Sequence, residues 1–216
     1  MRQIVKIPLS DKTQDQLNNK ESNNWKKLTK NQRKEIINKL LLSQKELCCY
    51  CENRIEKETS HIEHFKERSV YPELIFVYSN HFLSCNGITI EVNNIEASCG
   101  HQKSNKNLSV DYDLLLCPSE NNEALFSYLD GIIKPSDKCS ESEQEKVNYT
   151  IECLKLDSSN LKNQRIEQIL LITEMIDGLD LEKQKELIED LLDETQNKLA
   201  PFFSTIKDNF EFILNE

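Results

Sequence analysis

Residues 48–106 hold five of the eight cysteines and all four histidines, and no other feature of the 216 residues constrains the fold as tightly. The stretch opens with Cys48-x-x-Cys51. It runs through His61-Ile62-Glu63-His64-Phe65, passes Asn80, His81 and Cys85, and closes on Cys99-Gly100-His101-Gln102-Lys103-Ser104-Asn105-Lys106. A Cys-x-x-Cys knuckle supplies two thiolates from one tight turn, the geometry a tetrahedral zinc ion takes. Cys85 and Cys99 are the candidates for the second pair. A closed four-cysteine site of this kind is structural and contributes folding free energy where the core is thin. A thioredoxin-like redox pair has the same spacing, but no βαβ pattern surrounds this one. Cys49 falls inside the knuckle as a non-ligand. Cys117, Cys139 and Cys153 read as plain buried side chains.

Residues 61–65 read as a short strand that ends in Glu63-His64. Hydrolysis of a phosphodiester needs a base to take a proton from water and a divalent metal to stabilise charge on the phosphate and the leaving oxygen. His64 suits the base, with His61 beside it, and Glu63 suits the metal. His101 and Asn105 lie at i, i+4 on a helix expected to start within 100–108, and either completes the metal site with Glu63. Lys103 and Lys106 are placed to meet substrate phosphates. A single histidine here reads as well as a hydrogen-bonded structural residue, and His81 is best read so. Four of them between positions 61 and 101, framed by the knuckle, read better as a site.

The net charge of −10 is unusual for a protein that meets nucleic acid, but its distribution matters more. Residues 1–47 carry 11 Lys/Arg against 5 Asp/Glu, residues 48–139 carry 8 against 14, and residues 140–216 carry 8 against 18. Only the first segment is basic. It reads equally as a phosphate-touching arm or as a solvated helix face. The acidic last third suits a protein partner or an ordinary solvated surface. No apolar run approaches the roughly 18 residues of a membrane helix, and no signal peptide opens the chain. The expectation is a cytoplasmic protein with no membrane contact.

Helical spacing and capping signals predict a weak helix over 11–19 and a firm one over 30–46, with Thr29 and Gln32 as its capping box. Residues 86–98 form a polar insert. Strands are expected at 113–117 and within 125–133, where Asp130-Gly131 signals a hairpin turn. From Ser140 the chain reads as helical. Ser142 and Glu145 form a second capping box, a broad apolar stripe covers 161–177, Asp180 caps a helix to about Leu199, and Pro201 starts the last helix.

In order and residue type, Cys-x-x-Cys, Glu-His, Asn, Cys, Cys and Lys-x-Asn resemble the HNH (ββα-metal) endonuclease superfamily. Cys48-Cys49-Tyr50-Cys51-Glu52, His61-Ile62-Glu63-His64-Phe65, Tyr71-Pro72-Glu73-Leu74 and Ser84-Cys85 look like its PtuB subgroup, the nuclease effector of Septu and of certain retron anti-phage systems. Met1-Arg2-Gln3-Ile4, the segment around Phe126-Ser127-Tyr128 and Asp130-Gly131, and Leu154-Lys155-Leu156-Asp157 are similar to the family's flanks. The resemblance implies nuclease activity with Mg2+ or another divalent ion, a structural zinc, a PtuA-like ATPase partner, and, in a retron, a reverse transcriptase with its msDNA. It implies His64 as general base, Glu63 as metal ligand and Asn80 as the residue that fixes the loop and orients the base. The chain departs from the family pattern in the long Cys85–Cys99 gap and in Gly100, which stands where His or Asn is usual. The resulting expectation is an α+β protein, mainly helical, with a central zinc-bound ββα-metal (HNH) module and a small β-hairpin. Its divisions are a basic helical arm (1–47), the nuclease module with hairpin extension (48–139) and an acidic helical docking region (140–216). DNA is the favoured substrate. A ribonuclease of the same fold and a non-catalytic zinc-binding adaptor remain alternatives.

Overall fold

The capping signals of the N-terminal third are the ones the chain uses. The computed structural model describes residues 1–20, 22, 24–91, 94–105 and 108–216. Ser10 caps helix α1 (Asp11–Asn18) by accepting the Thr13 N–H. Thr29 and Gln32 close a reciprocal capping box on α2 (Lys30–Ser43), which satisfies two N–H groups that a helix start leaves open. This helix stops short of 46 because Lys45 and Glu46 turn to φ values of 54° and 59°. Between α1 and α2, Trp25–Lys27 make one 3-10 turn capped by Asn24. The first residues of the expected arm are laid into the core. Met1, Ile4 and Leu9 are buried with Phe82, Leu83 and Tyr128, and the Ile4 N–H donates to the Pro118 carbonyl.

Strands β1 (Ser60–His64) and β2 (His81–Cys85) pair antiparallel, with Glu63 opposite Phe82 and His64 opposite His81. Asn80 fastens the loop between them. Its side chain accepts the Lys66 N–H at 2.7 Å and donates to the Lys66 and Leu74 carbonyls. The polar insert folds as a hairpin, β3 (Ile88–Glu91) against β4 (Asn94–Ala97). The Ser98 N–H closes its base on the Gly87 carbonyl at 2.7 Å. The long gap between Cys85 and Cys99 is thus an excursion whose ends meet, and α3 (Cys99–Lys103) starts against β2.

Several expected elements are corrected downstream. Residues 113–117 are a turn and not a strand. The Asp111 side chain and carbonyl take the N–H groups of Asp113 and Leu115, which a strand would have offered sideways. Strands β5 (Phe126–Ser127) and β6 (Lys134–Pro135) do form a hairpin, but with two residues each. Asp130 and Gly131 carry the positive φ values of 54° and 72° that their turn requires. Helix α4 (Glu141–Leu154) is capped by Ser140 and Glu143, not by Ser142 and Glu145, because Ser140 is the extended residue. Helix α5 (Ser159–Ile176) matches the apolar stripe. Helix α6 (Leu181–Leu192) starts at Asp180 as expected but ends before Leu199, where the Asp193 carboxylate captures the Thr195 N–H. Helix α7 (Phe203–Phe210) begins after Phe202, which takes a left-handed conformation; Pro201 lies outside it. No helix among the described residues is long and apolar enough to cross a membrane.

Two buried charges hold the segments together. Glu52, next to the cysteine knuckle, accepts the Arg2 N–H and both the N–H and hydroxyl of Ser204, each at 2.8 Å. Arg165, 2% exposed, donates to the Gly131 carbonyl at 2.8 Å and the Leu156 carbonyl at 3.0 Å. It therefore pins the hairpin and the end of α4 to α5. Arg165→Met keeps the bulk and orphans both carbonyls. Its expected cost is about 3 kcal/mol, read as a lower urea midpoint at unchanged slope.

Candidate active site and metal centre

The four cysteines proposed for zinc come together. The sulfurs of Cys48, Cys51, Cys85 and Cys99 lie within 4.8 Å of one another, and Cys48, Cys51 and Cys99 are buried. None is in a disulfide. Burial alone would raise the Cys48 thiol, but hydrogen bonds from Cys49, Cys51, Cys85 and Cys99 outweigh it and hold the group well below its usual range. The Cys85 N–H also donates to Cys48 Sγ at 3.4 Å. The same sharing pushes the Cys51 and Cys99 thiols up. A dry cluster of four sulfur donors, one of them already favoured as thiolate, fits a tetrahedral metal of zinc's type.

Beside this cluster, β1 delivers Glu63 and His64, both almost fully buried. One Glu63 oxygen, Oε1, accepts the Tyr50 hydroxyl at 3.1 Å and lies 2.8 Å from the Lys103 ammonium. The other, Oε2, lies 3.6 Å from His61 Nε2. Burial would raise the Glu63 carboxyl, but His61 and Lys103 outweigh it and keep it below the usual carboxylate range. The His61 and His101 rings meet edge to face, 4.6 Å between centroids. The Nδ1 atoms of both are buried without a hydrogen-bond partner among the described residues. Burial and the His61 neighbour both push the His101 pKa down, which keeps its imidazole available as a neutral donor.

Gly100 explains how these groups fit. A Cβ there would sit 2.6 Å from Glu63 Oε2 and 2.9 Å from His61 Nε2. A side chain at position 100 would take the space that the carboxylate and the imidazole occupy, so only glycine fits there. Glu63 Oε2 and His61 Nε2 thus face one another over a glycine, with the His101 ring against His61; carboxylate and imidazole are donor types that a divalent cation takes. Gly100→Ala is expected to cost about 1–3 kcal/mol through overpacking against Glu63 and His61, read as a lower thermal midpoint.

His64 is held from below by the loop that Asn80 fastens. The Ile75 carbonyl lies 3.0 Å from His64 Nε2 and 2.8 Å from His81 Nε2. A carbonyl only accepts, so both Nε2 atoms carry hydrogens, and His64 keeps its basic lone pair on Nδ1. Burial pushes the His64 pKa down to about 4, against the pull of the Ile75 bond. It pushes His81 down to about 3, helped by the His64 neighbour. Both rings are neutral near pH 7. Trp25 lies edge-on to both, at 4.5 Å and 5.2 Å between centroids. The groove here has a volume of about 590 Å3 and is lined by Lys26, Arg68, His61, Glu63 and His64 among others.

Other expected site residues fall differently. Lys103 lines the groove but is 1% exposed, and its ammonium is already engaged by Glu63 and the carbonyls of His64 and Phe65, each at 2.8 Å. Lys106 lies outside the described residues. Asn105 sits exposed just past Ser104, the C-cap of α3. Tyr50 and Trp25 were missed as site residues. Tyr50 carries a signal in hindsight, since a tyrosine inside a cysteine knuckle is poised against whatever the knuckle abuts. The tie from Lys103 to Glu63 has no signature in sequence.

No family model matches the chain. It is 31% identical over 141 residues to a protein of Vibrio cholerae serotype O1 biovar El Tor named "Retron Vc95 putative HNH endonuclease". The match takes in 63% of this chain and 64% of that protein, a little under two thirds of the relative's length.

Proposed function

We propose that this chain is an HNH-type endonuclease that hydrolyses phosphodiester bonds, built on a ββα-metal module formed by β1, β2 and α3. The observation that carries the reading is the pairing at the end of β1. His64 is fixed as a neutral base by the Ile75 carbonyl, and the adjacent Glu63 presents one oxygen to His61 across Gly100. The name of the Vibrio relative supports the same reading.

Each residue then has a task. His64 Nδ1 takes a proton from the attacking water. Phosphate entering the groove adds negative charge beside the ring and raises its basicity toward the working pH. Asn80 holds the loop that holds Ile75. Tyr50 and Lys103 keep Glu63 ionised and aimed, as supports behind a metal ligand do. Glu63, His61 and His101 would hold the divalent ion; Asn105 is the weaker candidate because it lies exposed past the helix. When bound, that ion supplies Lewis-acid stabilisation of the leaving 3′ oxygen, so that products carry 5′ phosphates. Imidazole donors favour Mn2+ or Ni2+ over Mg2+, which prefers oxygen ligands. Cys48, Cys51, Cys85 and Cys99 would hold a separate structural zinc.

The substrate reading is DNA in the groove flanked by Lys26 and Arg68. The cleft of about 660 Å3 between α6 and α7 is lined by six carboxylates, Glu186, Glu189, Asp190, Asp193, Glu194 and Glu211, against the single cation Lys207, and this acidic balance disfavours a polyanion. That acidic face and the exposed Leu170, Leu171 and Met175 on α5 suit a protein partner. The partner we propose is a PtuA-like ATPase, in a retron or Septu-type defence complex. The test is to incubate the chain, alone and co-purified with its ATPase, with plasmid DNA and with RNA in Mg2+, Mn2+ or Ni2+. Cleavage of DNA to 5′-phosphate ends is expected. Cleavage of RNA alone would change the substrate, and cleavage of neither would overturn the reading.

A further inference from the structure

We propose that Trp25, the one tryptophan of the chain, is a positioning residue that locks the His64 ring; the inference rests on the reading of His64 as the base. Trp25 reaches the site from the N-terminal segment, far in sequence from β1. Its ring meets His64 at 82° with 4.5 Å between centroids, and His81 at 72°. The ring is itself held, stacked on Phe76 at 5.8 Å and covered by the Arg33 guanidinium at 5.4 Å. It lines the groove beside Asn24 and Lys26, so it is wall as well as packing.

The need for such a wall follows from the hydrogen bonding below. The Ile75 carbonyl is shared by two imidazoles, so His64 hangs on part of one acceptor. A ring fixed by one bond can swing about it or exchange its tautomer. Trp25 packs edge to face against the ring and limits that swing, so the Nε2–H bond to Ile75 is kept and with it the lone pair on Nδ1.

The test uses the zinc-loaded full chain with Trp25→Ala and Trp25→Phe, each required to keep its zinc and its thermal midpoint. Should Trp25→Ala not meet that condition, Trp25→Leu replaces it. The first readout is the His64 tautomer at about pH 8, where the ring is neutral, from long-range 15N–1H correlation spectra. A single Nε2–H tautomer is expected in the wild type and Trp25→Phe, and a mixture in Trp25→Ala. This readout decides the proposal whether or not the isolated chain cleaves. The second is a kcat lower by roughly 10- to 100-fold in Trp25→Ala with KM nearly unchanged, largely rescued by phenylalanine. A folded Trp25→Ala with one tautomer and wild-type kcat overturns the proposal. His64→Ala separates the two ideas. If it cleaves normally, the base reading fails; if it is inactive while Trp25→Ala is unaffected, only the role of Trp25 fails.

Discussion

His64→Ala is expected to lower the cleavage rate by roughly 10²- to 10⁴-fold, the range for removing a general base, while leaving the fold in place. The second half of that statement comes from the Ile75 carbonyl. Deleting the His64 imidazole does not orphan it, because His81 Nε2 still donates at 2.8 Å. Trp25 and Phe76 remain to line the space. The substitution also spares every cysteine of the cluster and the Tyr50 and Lys103 ties to Glu63. Rate measurements at saturating DNA and metal, beside zinc content and thermal midpoint, check both halves. His81→Ala offers the contrast. His81 is fully buried, donates to the same carbonyl and has an Nδ1 with no hydrogen-bond partner among the described residues. Its loss is expected to lower the midpoint.

Cys48→Ser is expected to have the largest effect on stability. Cys48 is the sulfur most favoured as thiolate, and its Sγ also accepts the Cys85 N–H. The four cysteines join the end of α2, the end of β2 and the start of α3, so losing the centre releases both strands and the helix of the site together. Structural zinc sites in small domains are worth on the order of 10 kcal/mol of apparent binding energy, comparable to the whole stability of a domain. The variant is therefore expected to lose its zinc and to be unfolded, or nearly so, around Glu63. Far-ultraviolet circular dichroism with metal analysis reads this directly. Cys117→Ser is the control: Cys117 lies outside the cluster, with its sulfur 3.1 Å from the Ser119 hydroxyl. It should keep both zinc and midpoint.

Much of this arrangement was legible because the signals are local. The capping box at Thr29, the short strand into Glu63-His64 and the apolar stripe of α5 follow from spacing within a few residues. The cysteine quartet was legible for another reason: thiols in such numbers have few stable fates. The misses fall where distant groups compete for the backbone. Asp111 and Asp193 capture N–H groups that simple periodicity assigns to a strand and a longer helix. The hairpin that carries Cys99 back to Cys85 hides behind a polar composition. The Lys103 tie and the need for glycine at position 100 have one cause. Both are fixed by the Glu63 carboxylate, which sits at the other end of the module in sequence. No spacing rule links a buried lysine to a carboxylate 40 positions earlier.

The central claim is that two separate metal systems lie side by side, a cysteine centre that holds the fold and a Glu63 centre that does chemistry. The most direct test is to treat the purified chain or its complex with EDTA, measure bound zinc, and assay DNA cleavage before and after adding Mn2+. One zinc per chain should survive the chelator while cleavage is lost, and Mn2+ should restore cleavage with no change in zinc. Cleavage that persists in EDTA and follows zinc content would contradict the account.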